Sequence, residues 1–191
     1  MTSVFERVIN WNEKRYERIF NFGLANALLV EEAGELENAR IIGNPIETLD
    51  AVGDITFVAI GILWKLGYSP EYIESLFEKH ISKHKKPNVD IFQASLLSSY
   101  VDIADYSKLD YEIIILRKIA HLICISCVEA LKDLDMFSYY LVVLRIICDS
   151  NDTKAIEKVL PDIKANINKG ANYKAPTEDL ESLFYQVKGL A

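Results

Sequence analysis

The chain has 191 residues, half of them apolar, a length that buries a substantial core as one domain or as two small ones. A formal charge of −7 excludes the broad basic face that duplex nucleic acid demands, and leaves room for a small anionic ligand held through a metal ion. Met1 to Asn12 lacks the basic lead, apolar core and small-residue cleavage site of a secretory leader, which predicts a cytoplasmic protein.

Apolar residues recur at spacings of three and four almost throughout, and runs of strict alternation are missing, so the expected fold is all-α. Breakers at Gly43-Asn44-Pro45, Gly67 to Pro70, Lys86-Pro87-Asn88, Ser150-Asn151-Asp152 and Lys169-Gly170 separate predicted helices over 3–19, 22–41, 46–66, 70–84, 91–104, 109–132, 136–149, 153–167 and 177–188. Ser69-Pro70-Glu71 reads as a helix start, with proline at the first helical position and an acid behind it.

The second predicted helix carries Glu31, Glu32 and Glu35, of which Glu32 and Glu35, or Glu31 and Glu35, project to one side. Three glutamates alone suit a solvated surface, but the third helix adds Glu47, Asp50 and Asp54 at i, i+3 and i+7, again one face. The apolar run Ala51 to Leu66 is interrupted by Asp54 and Lys65 and is too short to cross a bilayer. A carboxylate set in such a run is costly unless paired or bound to a cation. Folding the two helices back at Ile42-Gly43-Asn44-Pro45 sets Glu32 and Glu35 opposite Asp50 and Asp54. Oxygen ligands without His or Cys favour Mg²⁺, with Mn²⁺ as substitute, and such sites complete their coordination with water and substrate phosphate.

The later helices carry fewer signals. Cys124 and Cys127 form a C-x-x-C with His121 a turn earlier, but a fourth ligand is missing, so these and Cys148 are expected to be small core residues. A shift of 86 residues superimposes apolar and basic positions of the two halves, among them Val58 on Leu144, Phe77 on Ile163 and Lys83 on Lys169. That suggests an internal duplication, with one helical unit over 1–90 and a second over 91–191. The same shift sets Arg117, Lys118, His121, Met136 and Tyr140 where the first half has Glu31, Glu32, Glu35, Asp50 and Asp54, a set that would hold no metal.

Glu31-Glu32-Ala33-Gly34-Glu35 and Asp50-Ala51-Val52-Gly53-Asp54-Ile55 resemble the two motifs of the MazG-like all-α nucleotide pyrophosphohydrolases, a superfamily that includes dimeric dUTPases and phosphoribosyl-ATP pyrophosphohydrolases. Where many members have Asn-Met-Ser-Lys this chain has His80-Ile81-Ser82-Lys83, and Asn166-Ile167-Asn168-Lys169 stands at the matching place in the second half. Gly170 to Pro176 is similar to the ending of some members. Ala51 replaces a customary glutamate, so Asp50 or Glu47 would have to stand in.

The resemblance implies a bundle of two MazG-like repeats, the second degenerate, a covalent pseudo-dimer that can assemble further into a homo-oligomer. It implies Mg²⁺-dependent hydrolysis of a nucleoside triphosphate to the monophosphate and pyrophosphate. Glu32, Glu35, Asp50 and Asp54 would be metal ligands, with Glu31 orienting the attacking water. Lys83, Arg117, Asn166 and Lys169 would contact substrate, with Lys14, Arg15 and Arg18 as alternatives. A catalytically silent nucleotide- or partner-binding helical protein and a phosphoribosyl-ATP pyrophosphohydrolase are the competing readings.

Overall fold

The computed structural model describes residues 2–82, 84, 86–101, 109–154 and 170–190. Among these the chain is helical and contains no strand. Helix α1 spans Val4–Glu13 and opens on Ser3, whose Oγ accepts from the Glu6 amide. The predicted extension to residue 19 is not made. Arg15 donates back to the Trp11 carbonyl, and Arg18 donates to the carbonyls of Trp64 (2.7 Å) and Tyr68 (3.0 Å), so these side chains close helix ends where sequence periodicity would have continued α1.

Helices α2 (Phe22–Ile42) and α3 (Pro45–Lys65) are joined by a two-residue connection. Gly43 at φ 68 terminates α2 in the left-handed region, and the Asn44 side chain accepts from the Ile46 and Glu47 amides to start α3, with Pro45 at its first position. So short a link turns the chain back on itself, and α2 packs along α3. Helix α3 is buried on nearly every side, against α1, α2, α8 and α9, which explains its almost uninterrupted apolar sequence. Among the described residues no helix is long and apolar enough to cross a membrane.

Helix α4 (Pro70–Phe77) continues through a π-helical turn, Glu78–Ser82, and α5 covers Val89–Val101. The predicted helix over 109–132 is α6 (Leu109–His121), a π-helical stretch (Leu122–Cys127) and α7 (Val128–Asp133) in succession. Helices α8 (Tyr140–Asp152) and α9 (Thr177–Lys188) complete the described chain, and most of the helix predicted over 153–167 lies outside the described residues.

One hydrophobic core runs from Val4 to Leu180 and takes residues from both predicted units. The units are also tied by Arg7, which pairs with Asp149 and Asp152 at 2.7 Å each, and by Trp11 Nε1 donating to the Asn151 carbonyl at 2.8 Å. A shift of 86 carries α2 onto α6 with its π stretch, but carries the unbroken α3 onto α7's end, the turn at Leu134 to Tyr139, and α8. The duplication is therefore not reproduced element for element. The three cysteines are buried and free, as expected of core residues, and burial pushes the thiols of Cys124 and Cys148 up to about 12.

Candidate active site

The hairpin geometry decides which acids meet. Glu32 is half-buried on α2, between the core residues Leu29 and Leu36, and Asp50 and Asp54 are half-buried on α3. Glu31, Glu35 and Glu47 are exposed. Burial pushes the Glu32 carboxyl up to about 8, and Asp54, Glu35, Glu31 and Asp50 push it further in the same direction, in that order. Carboxylates from two antiparallel helices thus act on one another through Glu32.

Glycine 53 fixes the orientation of its neighbour. A Cβ there would overlap Ile147 Cγ1, so only glycine lets α8 approach this closely. With α8 seated on the Gly53 side of α3, Asp54 is turned about 100° away, toward α2. Ala51, in the place of the customary glutamate, is buried at 3% exposure. Asp50 is the remaining aspartate of α3 that acts on Glu32, whereas Glu47 stands exposed in the first turn.

Among the described residues no three His, Cys, Asp or Glu side chains are gathered closely enough to hold a metal ion. Like charges this near repel one another, and a divalent cation would offset that repulsion. By its chemistry the donor set fits a hard cation, since it is all carboxylate oxygen with no imidazole or thiolate.

The other residues singled out by sequence divide into those described and those not. Lys83, Asn166 and Lys169 lie outside the described residues. Lys118 donates to Asn26 Oδ1 at 2.6 Å, and the Tyr111 ring lies tilted at 50° to that of Phe22 with centroids 4.9 Å apart, so this stripe of α6 faces α2. Asn26 is nine residues from Glu35, two and a half helical turns, and projects from the opposite side of α2. Arg117, one residue round from Lys118, is exposed, and the geometry does not bring it to the acids. His121 lines a separate groove of about 680 Å³ with Ala33, Glu37, Arg40, Ser126 and Asp133.

Met136 and Tyr140 are buried, and Tyr140 Oη lies 2.8 Å from Thr56 Oγ1 on α3. His80 is buried beside Ser95, 3.2 Å from its Oγ, and burial lowers its pKa. Arg15 and Arg18 are engaged with backbone carbonyls, while Lys14 is exposed. Lys65, which with Asp54 interrupts the apolar run, is half-buried with its ammonium 4.5 Å from the centroid of the Tyr16 ring.

Residues 2–81 match the family model of phosphoribosyl-ATP pyrophosphohydrolase. No curated protein and no solved structure matches the chain. The matched segment contains the whole acidic hairpin and supports a pyrophosphohydrolase activity on nucleotides.

Proposed function

We propose that this chain, whose residues 2–81 belong to the MazG-like all-α nucleoside triphosphate pyrophosphohydrolase superfamily, hydrolyses a nucleoside triphosphate to its monophosphate and pyrophosphate in the presence of Mg²⁺. The observation that carries this reading is that Asp54, Glu35, Glu31 and Asp50 all raise the Glu32 carboxyl, from within the matched segment.

Glu32, Glu35, Asp50 and Asp54 would hold the cation. When bound, Mg²⁺ supplies charge neutralisation and polarisation of the phosphate oxygens. Glu31, exposed beside the ligand row, orients a water and takes its proton as the water oxygen bonds to the α-phosphorus. The bond from that phosphorus to the bridging oxygen breaks, and pyrophosphate leaves. The acids thus act by position and charge, and no covalent enzyme intermediate is required. Lys83, Asn166 and Lys169 remain proposed phosphate contacts.

The family match favours one alternative substrate, phosphoribosyl-ATP, whose hydrolysis would release the same pyrophosphate. A panel of ribo- and deoxyribonucleoside triphosphates and phosphoribosyl-ATP, each incubated with the protein and Mg²⁺ and assayed for pyrophosphate, tests both readings. Release from a simple triphosphate supports the first, and release from phosphoribosyl-ATP alone the second. No release from any compound would leave a catalytically silent binding protein.

A further inference from the structure

The groove beside His121 follows the side of α2 that meets α6, away from the acids. Ala33 at its near end is seven residues from Asn26, two turns further along the same stripe. Leu36 and Leu122, both buried, form its floor, and the exposed Ile41 stands at its far end. At about 680 Å³ it falls within the roughly 300–1,000 Å³ range of small-molecule sites. Its opposite wall is made by the π-helical stretch Leu122–Cys127 and α7, and π-helical turns between α-helical segments recur at functional sites.

The polar groups on the groove are distributed unevenly. At the far end Arg40 reaches from α2 to α7 and pairs through Nη2 with Asp133 Oδ2 at 2.8 Å. That pairing uses one atom of each side chain. Arg40 Nη1 and Asp133 Oδ1 have no hydrogen-bond partner among the described residues, so a charged donor and a charged acceptor stand side by side on the rim. Near the other end Ser126 is half-buried in the π-helical stretch. The hydroxyls of Thr48 and Thr56 donate to carbonyls four residues back at 2.8 Å each, as helical hydroxyls commonly do. That of Ser126 makes no hydrogen bond among the described residues, and it lines the groove with the His121 imidazole. Glu37 stands between the two ends and sets a carboxylate where a phosphate would be repelled.

A ligand matched to this pattern carries both charges at one end and an apolar body behind them. A free amino acid has that form, because its ammonium and carboxylate share one carbon and its side chain extends from the same carbon. From Arg40 back to Ala33 the helix advances about 10 Å, which leaves room for an aromatic or long aliphatic side chain. We infer that the groove binds a free α-amino acid with a large side chain: its carboxylate accepts from Arg40 Nη1, its ammonium donates to Asp133 Oδ1, and its side chain lies on Leu36 and Leu122 toward Ser126 and His121. This site is separate from the acidic hairpin and does not depend on the hydrolase reading.

Isothermal titration of the whole protein, without nucleotide or metal, tests the inference with L-tryptophan, L-phenylalanine, L-leucine and glycine. Phenethylamine and 3-phenylpropionate accompany them, since each keeps the phenyl body and lacks one of the two charges. The expected result is a Kd below about 1 mM for at least one of the three large amino acids, and affinity at least about tenfold lower for glycine and for both analogues. Arg40→Met and Asp133→Asn should each weaken that amino acid about tenfold, and Ser126→Leu, which fills the groove, should abolish binding. The melting temperature of each variant reports its folding, and an ion pair this exposed contributes little to it. No amino acid bound more tightly than about 1 mM would overturn the inference. Equal affinity for either analogue would do so too, because the groove would then select an apolar body alone. Unchanged affinity in folded Arg40→Met and Asp133→Asn would move the binding to another place on the molecule and overturn it likewise.

Discussion

On the α2–α3 hairpin, Glu32 and Asp54 are held half-buried among like charges. Eighty-six residues later, Lys118 and Tyr140 occupy the corresponding positions and have settled into bonds, Lys118 with Asn26 on α2 and Tyr140 with Thr56 on α3. Thr56 also donates to the Val52 carbonyl at 2.8 Å, so its oxygen receives the tyrosine proton and both hydroxyls are satisfied in the core. Glu32 and Asp54 raise the electrostatic energy of their helices, whereas Lys118 and Tyr140 spend their polar groups on cohesion. Strain of that kind is expected at a working site, which is why the proposed chemistry is placed on the hairpin; in α6 the buried carboxylate Glu112 also keeps one oxygen without a hydrogen-bond partner among the described residues.

The largest effect expected to separate the two regions is on turnover. Asp54→Asn keeps side-chain volume while replacing a charged ligand with a neutral amide, and should lower pyrophosphate release by about a hundredfold or more. The same variant should melt higher than the parent without metal, because one repelling charge has gone. Undiminished release would remove Asp54 from the site and erase the contrast between the halves.

That the two acid-bearing helices fold back on each other was legible in the sequence because its determinants are local. The breaker at Gly43 to Pro45 sets the hairpin, and the spacing of Glu47, Asp50 and Asp54 sets them on one face of α3. The end of α1 was not legible. Its close at Glu13 depends on Arg18 finding carbonyls at the end of α3, a contact across 46 residues of chain. The π-helical stretch at Leu122–Cys127 and the seat of Lys65 on Tyr16 likewise arise from packing between elements, which periodicity does not encode. The pairing of Gly53 with Ile147 gives the Gly-Asp motif a packing reason that the motif alone does not state.

The second expected effect is on stability and depends on pH. The Glu32 carboxyl is raised from 4.5 to about 8, so between those values the folded protein holds a proton that the unfolded chain releases. The native state then binds more protons than the unfolded state, and stability falls as pH rises through that window and levels off above it. Melting temperatures of metal-free protein should therefore drop by several degrees from pH 5 to pH 8, with Glu32→Gln flattening the slope. Added Mg²⁺ should raise the melting temperature most at pH 8, where the carboxylates are charged. A slope that survives in Glu32→Gln would assign the titration to another group.

Smaller still, and of the opposite kind, is the effect expected in the second half. Tyr140→Phe removes the bond to Thr56 while leaving the ring in the core, and should cost about 1 kcal/mol of stability. Thr56 keeps its bond to the Val52 carbonyl, so no donor is stranded. Turnover should stay within about twofold, measured at saturating substrate and Mg²⁺. A large loss of kcat with unchanged stability would bring Tyr140 into the chemistry and contradict the placing of that chemistry on the α2–α3 hairpin.

The smallest expected effect concerns Arg117, the cation that sequence comparison sets where the first half has Glu31. A triphosphate brings about four negative charges, and an arginine at the rim of the site would add charge-assisted bonds on the order of 1.5–3 kcal/mol each, enough for a tenfold effect on KM or kcat. The geometry argues against that role. Tyr111 and Lys118 lie seven residues apart on the stripe of α6 that meets α2, at Phe22 and Asn26. Arg117 is about 100° round from Lys118 and exposed, and Asn26 itself projects from the side of α2 opposite Glu35. Reaching the acids would require the side chain to cross α2. Arg117→Ala is therefore expected to change KM and kcat by less than about twofold and to leave the Mg²⁺ requirement intact. A tenfold rise in KM would show that α6 does reach the substrate and that the second half takes part in the site.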